Sequence, residues 1–312
     1  MLGYAFRRIL GAIPTLFVVV LIAFLMVRLT PGNPFATERA LPPEVMKTLM
    51  HQYNLDIPIY QQFFLYIKDL FHGDLGMSYK NQGMSISQMV FPSHGDGGFW
   101  VSAQLGFFSL LVAMIVGVLL GIWAALTRKS KFAFIDNIIS ALAVLFISTP
   151  VVVTAPLAVL IFAVNFHFFP ANGWGNINQM ILPILILAIP YSAIIAQIMR
   201  SSLIETLHSP FIRTAKAKGL PTSKIIFKHA LKSAIIPVIS FLGPAAAGIL
   251  TGSVIIEQVY TIPGIGVQMV QGATNRDYNL VLALTVIYSG LVILFNLIVD
   301  LIYSLLDPKI RY

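Results

Sequence analysis

The sequence is short of the residues on which soluble and secreted proteins rely. It contains no cysteine, so a disulfide framework, thiol catalysis and a cysteine-based metal site are excluded. Charged residues make up 10% of the 312 residues, whereas typical soluble domains contain about 25%. Hydrophobic residues make up 57%, which is more than a soluble fold of this length could bury. The composition therefore predicts a chain whose main solvent is lipid.

Six apolar runs are long enough to cross a bilayer, which takes about 20 mostly apolar residues. The first, Ile9–Val27, follows Arg7 and Arg8 and has no evident cleavage site, so it is predicted to be an uncleaved span rather than a signal peptide. The uncharged stretch Asn137–Met199 is too long for one span, and its polar segment Asn165–Gln179 divides it into a third and a fourth helix. The other spans are predicted at Val101–Leu126, Ser233–Ile256 and Tyr278–Val299.

The basic residues give the predicted orientation of these six spans. Fourteen of the 20 Lys and Arg residues fall in the termini and loops that share one side of the membrane. The loop after the third span has none, and the loop after the fifth has only Arg276. Short loops rich in Lys and Arg face the cytoplasm, so both termini are predicted to be cytoplasmic. This placement accounts for the net charge of +8 better than nucleic-acid binding does.

The segment 30–100 is then expected outside the cytoplasm, between an N-terminal span (1–29) and a five-span core (101–312). Two amphipathic helices are predicted in it, Pro43–Tyr53 and Pro58–Phe71, with Asp56 available to cap the second. The second helix carries an apolar stripe at helical spacing, formed by Tyr60, Phe63, Phe64, Ile67 and Phe71. The stripe could pack on the tops of the membrane helices or receive a partner protein or substrate.

Prolines interrupt several predicted spans, at positions 14, 150, 156, 183, 190, 237 and 244. A proline in a membrane helix frees backbone carbonyls, which is tolerated where protein or a water-filled cavity satisfies them. Their number fits helices that bend around a pathway, and Pro150 is a candidate for it, although single kinks could serve packing alone. The pair Gly117 and Gly121 has the small-residue spacing that permits close helix contact.

Sites for chemistry are scarce. The sequence has no GxxxxGK[ST], HExxH or GxSxG pattern. Glu257 is expected just past the outer end of the fifth span, with either a gating role or a structural hydrogen bond. Asp300 is expected near the inner end of the sixth span, with a structural partner or at the membrane interface. Neither acid has a carboxylate or histidine spaced for acid–base catalysis, so an enzyme is not expected.

The loop between the fourth and fifth spans, Arg200–Lys232, is unusually long and basic. It has 33 residues with seven basic side chains and one acid, whereas helix connections usually run about 2–8 residues. Ala215–Lys218 favours a helix, Gly219 can adopt a left-handed C-cap, and Pro221 prevents continuation. Thr222 or Ser223 can cap a second helix. A loop that only fixes the membrane orientation by its positive charge would explain the basic residues but not the predicted helix–turn–helix.

At these residues the chain resembles the membrane subunits of ATP-binding-cassette (ABC) importers. Their cytoplasmic loop carries Glu-Ala-Ala, three residues, Gly, nine residues, Ile, one residue and Leu-Pro. Ala215, Gly219 and Leu231 match this pattern, whereas Arg213, His229 and Lys232 depart from it. The run Arg-Thr-Ala-Lys-Ala-Lys-Gly-Leu-Pro, followed by His-Ala-Leu, is similar to the peptide and nickel branch of the family.

The rest of the chain fits the same branch. The similar segments are Arg28–Pro34, Gly73–Ser78, Ile256–Gly266 and Asp307–Arg311. Within the branch, Pro34–Val45 is similar to the first membrane subunits of bacterial oligopeptide permeases. The resemblance implies an all-α, six-span protein of the bacterial inner membrane, with a helical periplasmic insert at 30–100 and a cytoplasmic coupling helix within 200–232.

The resemblance also implies partners and roles. A homologous second membrane subunit would share the pathway, two cytoplasmic ABC ATPases would bind ATP and Mg²⁺, and a periplasmic or extracellular peptide-binding protein would deliver peptide. This chain itself would bind no cofactor and no metal and would have no catalytic residue. The ATPase-coupling residues would be Arg213, Thr214, Ala215, Lys216, Ala217, Lys218, Gly219, Leu220 and Pro221. The possible gate or pathway residues are Pro150, Glu257, Pro263, Gly264 and Gly266.

A self-contained secondary transporter or channel for small solutes is the alternative. Such folds often show internal repeats and buried ion-coupling charges. The two halves of this sequence show no convincing repeat, and Glu257 and Asp300 are both expected near interfaces rather than deep in the membrane.

Overall fold

The structure is a computed structural model, and it describes residues 2–30, 35, 42–81, 83–95 and 97–306. These residues are almost entirely helical, with two isolated backbone bridges in place of any sheet. Parts of the segments that carried the resemblance, 31–34, 36–41 and 307–311, lie outside the described residues. Lys309 and Arg311, which entered the charge count, lie there as well.

Five helices are long and apolar enough to cross a membrane. They cover the predicted first, second, fourth, fifth and sixth spans and extend beyond most of their predicted ends, because helices continue past the hydrophobic core. The five are α1 (Leu2–Leu29), α5 (Gly98–Thr127), α8 (Ile177–Leu207), α12 (Ile236–Val259) and α14 (Tyr278–Leu306).

The predicted third span is broken. It consists of α6 (Ala133–Ser148) and α7 (Val151–Ala158), which are bent by 103°, and α7 continues as a π-helical segment, Val159–Asn165. Thr149 and Pro150 both have extended backbone at the break, with ψ of 118° and 141°. Proline removes an amide donor and disfavours helical conformation in the residue before it, which accounts for the position of the break.

The two ends of this broken pair lie at opposite ends of the bundle. Asp136, in the first turn of α6, forms an ion pair with Arg200 near the C-terminal end of α8. Beyond the π-helical segment, the Gly173 amide donates to the Tyr260 carbonyl at 2.9 Å, just after α12 ends. Trp174 donates to Gln104, near the start of α5, at 3.3 Å. The chain therefore passes from one end of the bundle to the other between residues 133 and 174.

Close contact between α5 and α8 forms the centre of the bundle. A Cβ atom added to Gly117 would lie 2.7 Å from Ile195, and one added to Gly121 would lie 2.6 Å from the Ala196 carbonyl oxygen. The helices can approach this closely only because both residues lack a side chain, so the predicted role of this glycine pair is confirmed. α12 packs on α5 and α8, and α14 joins α12 to α1.

Three short helices lie between α1 and α5: α2 (Pro43–Gln52), α3 (Ile59–Phe71) and α4 (Ile86–Val90). The first two match the predicted amphipathic helices. The prediction that Asp56 caps α3 is wrong, because Pro58 has extended backbone and itself occupies the N-cap position. Asp56 instead pairs with His51 at 2.9 Å, and this hydrogen bond holds the pKa of the Asp56 carboxyl below its usual value.

The insert is tied to α14 by a buried carboxylate. Asp277 accepts hydrogen bonds from the Ser78 hydroxyl and, at 3.0 Å, from the Tyr79 amide. It also precedes α14 directly and accepts from the Leu280 amide at 3.4 Å. The Tyr79 hydroxyl in turn receives a hydrogen bond of 2.7 Å from Arg28 at the end of α1. The insert is thereby connected to both the first and the last long helix.

The apolar stripe predicted on α3 divides into two faces. Phe63 is buried, and Ile67 is partly buried, against α1 and α14. Tyr60, Phe64 and Phe71 remain 62%, 68% and 87% exposed. Packing on the membrane helices therefore accounts for only part of the stripe.

Candidate functional site

The loop between α8 and α12 begins later than the sequence predicted. α8 continues to Leu207, so Arg200 lies inside the helix rather than in the loop. Its guanidinium group holds the buried carboxylate of Asp136 with two hydrogen bonds, one of them 2.7 Å from Nη2 to Oδ2. A buried carboxylate is stable only with such a partner. Arg200 therefore joins two helices and is not one of the free charges of the loop.

The predicted short helix is present and longer than expected. α9 (Pro210–Ala217) starts with a proline at its first helical position, where no intrahelical amide bond is lost. Its inner face is apolar and buried, since Ile212 and Ala215 are 0% and 8% exposed and belong to a buried cluster that includes Ile225 after the turn and Met199 and Leu203 of α8. Within this cluster α9 packs mainly on the segment Ile225–Ala230, and that segment packs on α8.

The sharp turn after α9 has the geometry of a Schellman motif. Gly219 has φ of +74°, a left-handed conformation that glycine adopts without steric cost. Its amide donates to the Lys216 carbonyl at 2.9 Å, and the Leu220 amide reaches the Ala215 carbonyl at 3.4 Å. No atom lies within 4 Å of a Cβ added to Gly219, so glycine is favoured by the backbone conformation alone. The predicted turn is confirmed.

After the turn the chain returns to the bundle as an interrupted helix. It comprises α10 (Thr222–Lys224), a π-helical segment (Ile225–Ala230) and α11 (Leu231–Ala234), and α12 begins two residues later. The expectation that Thr222 or Ser223 caps this helix is wrong, because Pro221 is at the N-cap position and no side chain caps the helix. Six basic side chains, at positions 213, 216, 218, 224, 228 and 232, are exposed on α9, its turn and this interrupted helix.

The sequence-derived coupling residues therefore come together in one structural unit. Ala215 and Leu220 face the bundle, whereas the remaining seven, including Arg213 and Lys216, are exposed. This arrangement gives a short helix with one face buried in the cluster shared with Ile225–Ala230 and α8, and the other face open and basic. Such a helix can bind an external surface and transmit a displacement to the helices that hold it.

The second candidate lies at the other end of α12. Glu257 was expected just past the end of its span, but it lies inside α12 and its side chain is fully buried. Its Oε1 accepts a hydrogen bond of 2.7 Å from the Ser102 hydroxyl, and its Oε2 accepts one of 2.7 Å from the Gly266 amide. Ser102 also accepts from the Ile265 amide at 2.9 Å.

These bonds make Glu257 the cap of a short helix, α13 (Ile265–Thr274). The first amides of a helix have no intrahelical partner, and a carboxylate is favoured at this positive end. A Cβ atom added to Gly264 or Gly266 would lie 2.3 or 2.6 Å from Glu257 Oε2. Both glycines are therefore required for the carboxylate to reach the helix end.

The segment that leads into α13 is also fixed on α5. The Gly98 amide donates to the Pro263 carbonyl at 2.8 Å. The structure thus brings Glu257, Pro263, Gly264 and Gly266 into one cluster, while Pro150 lies outside its hydrogen bonds, at the break between α6 and α7. Sequence reasoning missed Ser102 and Gly98, because neither carries a charge or belongs to a motif and only the tertiary contact reveals them.

Asp300 has the structural partner that the sequence suggested. It accepts a hydrogen bond of 2.5 Å from Arg8 Nε and so joins α14 to α1. In the described part of the chain, no three His, Asp or Glu side chains are grouped as metal ligands would be. What the described residues do present is a basic helix at one end of the bundle and, at the other end, a buried carboxylate that caps a short helix.

Five long apolar helices and a broken sixth define a multi-pass membrane protein. Solved ABC transporters share this fold. An inward-facing MetNI methionine ABC transporter aligns with a TM-score of 0.57 at 20% identity, covering 72% of this chain and 100% of that one. An amino acid ABC transporter with histidines aligns with a TM-score of 0.51 at 22% identity, covering 66% and 91%.

The sequence comparisons give the family. Residues 117–312 match the family described as "Binding-protein-dependent transport system inner membrane component", and residues 1–90 match its N-terminal companion. The chain belongs to this family of inner-membrane transport components.

Curated relatives extend over the whole chain. It is 50% identical over 314 residues to the oligopeptide transport system permease protein OppB of Escherichia coli K12, and 48% identical to OppB of Haemophilus influenzae, with complete coverage of both chains in each case. It is 41% identical to the dipeptide transport system permease protein DppB of Bacillus subtilis, covering 100% of this chain and 98% of that one.

Proposed function

We propose that the chain is a transmembrane subunit of an ATP-driven oligopeptide importer and forms half of its translocation pathway. The observation that carries this proposal is the 48–50% identity to oligopeptide permeases over the entire length. At that level both the fold and the substrate class are commonly retained. The partners would be a homologous membrane subunit, two cytoplasmic ATPases that bind ATP and Mg²⁺, and an external peptide-binding protein. The chain itself would have no catalytic role.

The proposed topology has six spans with both termini in the cytoplasm and the insert 30–100 in the periplasm. It is supported by the broken pair α6–α7, whose ends lie at opposite ends of the bundle. It is also supported by the basic side chains of α9 and the turn, which would be cytoplasmic. Because the chain has no cysteine, single-cysteine variants report on topology directly. Lys47→Cys on α2 should react with an impermeant maleimide in spheroplasts, and Lys216→Cys on α9 only after permeabilisation; the reverse pattern would refute this topology.

In the proposed mechanism the coupling residues Arg213–Pro221, which cover most of α9 and its turn, dock on a partner ATPase. Closure of the ATPases on ATP would displace α9, and the packing of Ile212 and Ala215 in the cluster that joins α9, the segment Ile225–Ala230 and α8 would pass that displacement to the bundle as a rigid-body motion. The exposed basic face of α9 favours a partner surface of negative potential.

At the other end, we assign the Glu257 cluster to the outer gate. Glu257, Pro263, Gly264 and Gly266 hold the start of α13 between α5 and α12, so a shift of α12 would move α13 with it. Pro150 would act separately, as a hinge between α6 and α7. Glu257 would then be a positioning residue that sets the place of α13 and does not itself touch peptide.

Reconstitution tests the function as a whole. A tagged chain should co-purify with two ATPases, a second membrane subunit and an external binding protein, and this complex should import peptide into liposomes only with ATP. The isolated chain should neither hydrolyse ATP nor move peptide. Uptake driven by a proton or peptide gradient through the isolated chain would refute the proposal and favour a secondary transporter.

A further inference from the structure

The outward face of α3 is apolar and has no partner in the described part of the chain. Tyr60, Phe64 and Phe71 are 62%, 68% and 87% exposed, and Ile59 and Leu65 beside them are 42% and 38% exposed. No charged residue occurs from Ile59 to Ile67, and the helix has its charges, Lys68 and Asp69, in its last turn. An exposed apolar face of this kind marks contact with another protein or with lipid.

The inward face of α3 shows at what level of the bundle the helix lies. The Phe63 ring contacts the rings of Phe17 and Phe24, with centroids 5.8 and 5.2 Å apart. Phe24 and Phe17 precede the end of α1 at Leu29 by five and twelve residues, which correspond to about 8 and 18 Å along the helix axis. α3 therefore lies beside the outer part of α1 and not above it.

Contacts with α14 place α3 at the same level. Phe63 shares a buried cluster with Leu282 and Val286, which follow the start of α14 at Tyr278 by one and two turns. Tyr66 contacts Phe24, with ring centroids 6.0 Å apart, on the same side of α3. A helix packed at this depth of two apolar helices is within reach of the boundary between lipid headgroups and acyl chains.

The outward face of α3 continues the apolar surface of α1. Val18, Ile22 and Met26 of α1 are 49%, 48% and 68% exposed. Phe17 is itself 48% exposed while it contacts Phe63, so it bridges the two helices. The α1 surface lies in a candidate membrane span, and the adjoining surface of α3 therefore faces the same solvent.

We propose that α3 is an interfacial membrane helix whose face Tyr60–Phe64–Phe71 is inserted in the lipid of the leaflet that adjoins the insert. Aromatic side chains favour this boundary, and amphipathic helices lie in it with their apolar face among the acyl chains. Lys68, on the same side of α3, is long enough to reach the headgroup phosphates. Only the naming of this leaflet as the periplasmic one rests on the proposed topology.

The absence of cysteine permits a direct test with spin labels. Phe64→Cys and Tyr60→Cys, each labelled with a nitroxide in the complete complex in nanodiscs, are compared by collision with oxygen, which concentrates in lipid, and with a nickel chelate, which stays in water. The matched control is Lys47→Cys, on the exposed helix α2 of the same insert. The ratio of oxygen to nickel collisions at positions 60 and 64 should be several-fold higher than at 47.

Two results would overturn the proposal. Nickel-dominated collisions at position 64 would place this face in water, and an immobile label shielded from both reagents would mean that a partner subunit covers it. Co-purification of the labelled variants with the other subunits verifies that they fold. A complex that fails to import peptide while position 64 contacts lipid would count against the proposed function and leave the assignment of α3 intact.

Discussion

Gly219 offers the most direct test of the coupling role proposed for α9, because the contribution of Gly219 is conformational and involves no side-chain contact. Its φ is +74°, and a Cβ atom would meet nothing within 4 Å. Replacement by alanine therefore adds only the free-energy cost of placing an L residue in the left-handed backbone conformation, about 1–2 kcal/mol. Proline would require φ near −65° and would remove the amide that donates to the Lys216 carbonyl, at a cost of about 3 kcal/mol or more. Asparagine tolerates this conformation best among non-glycine residues.

The turn sets the angle at which α9 is presented. The amount of ATPase that co-purifies and the rate of ATP-driven peptide uptake should therefore both decrease from Gly219→Asn through Gly219→Ala to Gly219→Pro. A loss of 1–2 kcal/mol in the turn corresponds to about a 5- to 30-fold change in its population, so Gly219→Ala should give a partial defect and Gly219→Pro a nearly complete one. The amount of chain inserted in the membrane should not change, because the long helices are untouched.

Gly73 provides a matched control for this series. It has φ of +77° and the same open surroundings, but it lies in the insert, far from α9 in sequence. Gly73→Ala carries the same conformational cost and should leave the association with the ATPases unchanged. Normal ATPase binding and uptake by Gly219→Pro would refute the docking role of α9, and equal loss of ATPase binding in both alanine variants would show that the effect is not specific to the turn.

Three further substitutions test the contacts that hold the bundle together. Glu257→Ala leaves the Gly266 amide and the Ser102 hydroxyl unpaired in a buried site, at a cost of about 1–3 kcal/mol for each group. Peptide uptake and thermal stability should both fall. Glu257→Gln keeps an acceptor oxygen, so its loss of uptake and stability should be clearly smaller. Arg200→Ala leaves the buried Asp136 charge without its partner, at a cost of about 3–5 kcal/mol in stability. The variant should therefore have lower thermal stability in detergent. Adding Asp136→Asn to this variant should restore part of that stability. Asp277→Ala removes the acceptor shared by the insert and the start of α14, and limited proteolysis should then cut within 75–90 faster while cleavage in the α8–α12 loop stays the same. Unchanged melting temperature or unchanged proteolysis in these variants would contradict the assigned contacts.

The features that the sequence predicted well are those with local causes. Long apolar runs predict the five long helices. A run of helix-forming residues followed by a glycine and then a proline predicts α9 and its turn at Gly219. Errors arose where a distant residue changed the outcome. The charge of Arg200 favours a loop position, but the structure keeps Arg200 inside α8, where it pairs with Asp136, 64 positions earlier.

The candidate site was predicted only in part for the same reason. The Ile256–Gly266 segment drew attention to Glu257 and the two glycines, yet their function as a helix cap requires Ser102, which is 155 positions away from Glu257. The break at Pro150 was foreseeable as a kink, because proline disrupts helices locally. The angle of 103° depends on how α7 packs against α8 and α12, and periodicity carries no information about that packing.

One helix connects the two candidate sites. The chain leaves the turn at Pro221, passes through α10, the π-helical segment and α11, and enters α12, which carries Glu257 at its far end. α12 alone spans about 36 Å at the rise of an α-helix, and Glu257 ties its end to α13 through a hydrogen bond of 2.7 Å to Gly266. Coupling between distant sites needs a physical element that both can displace. Packing of α9 on Ile225–Ala230 ties it to the chain that leads into α12, and a buried carboxylate ties the far end of α12 to α13. A tilt of α12 would therefore displace both ends, and this helix is the element through which the proposed docking loop and the proposed outer gate would act on each other.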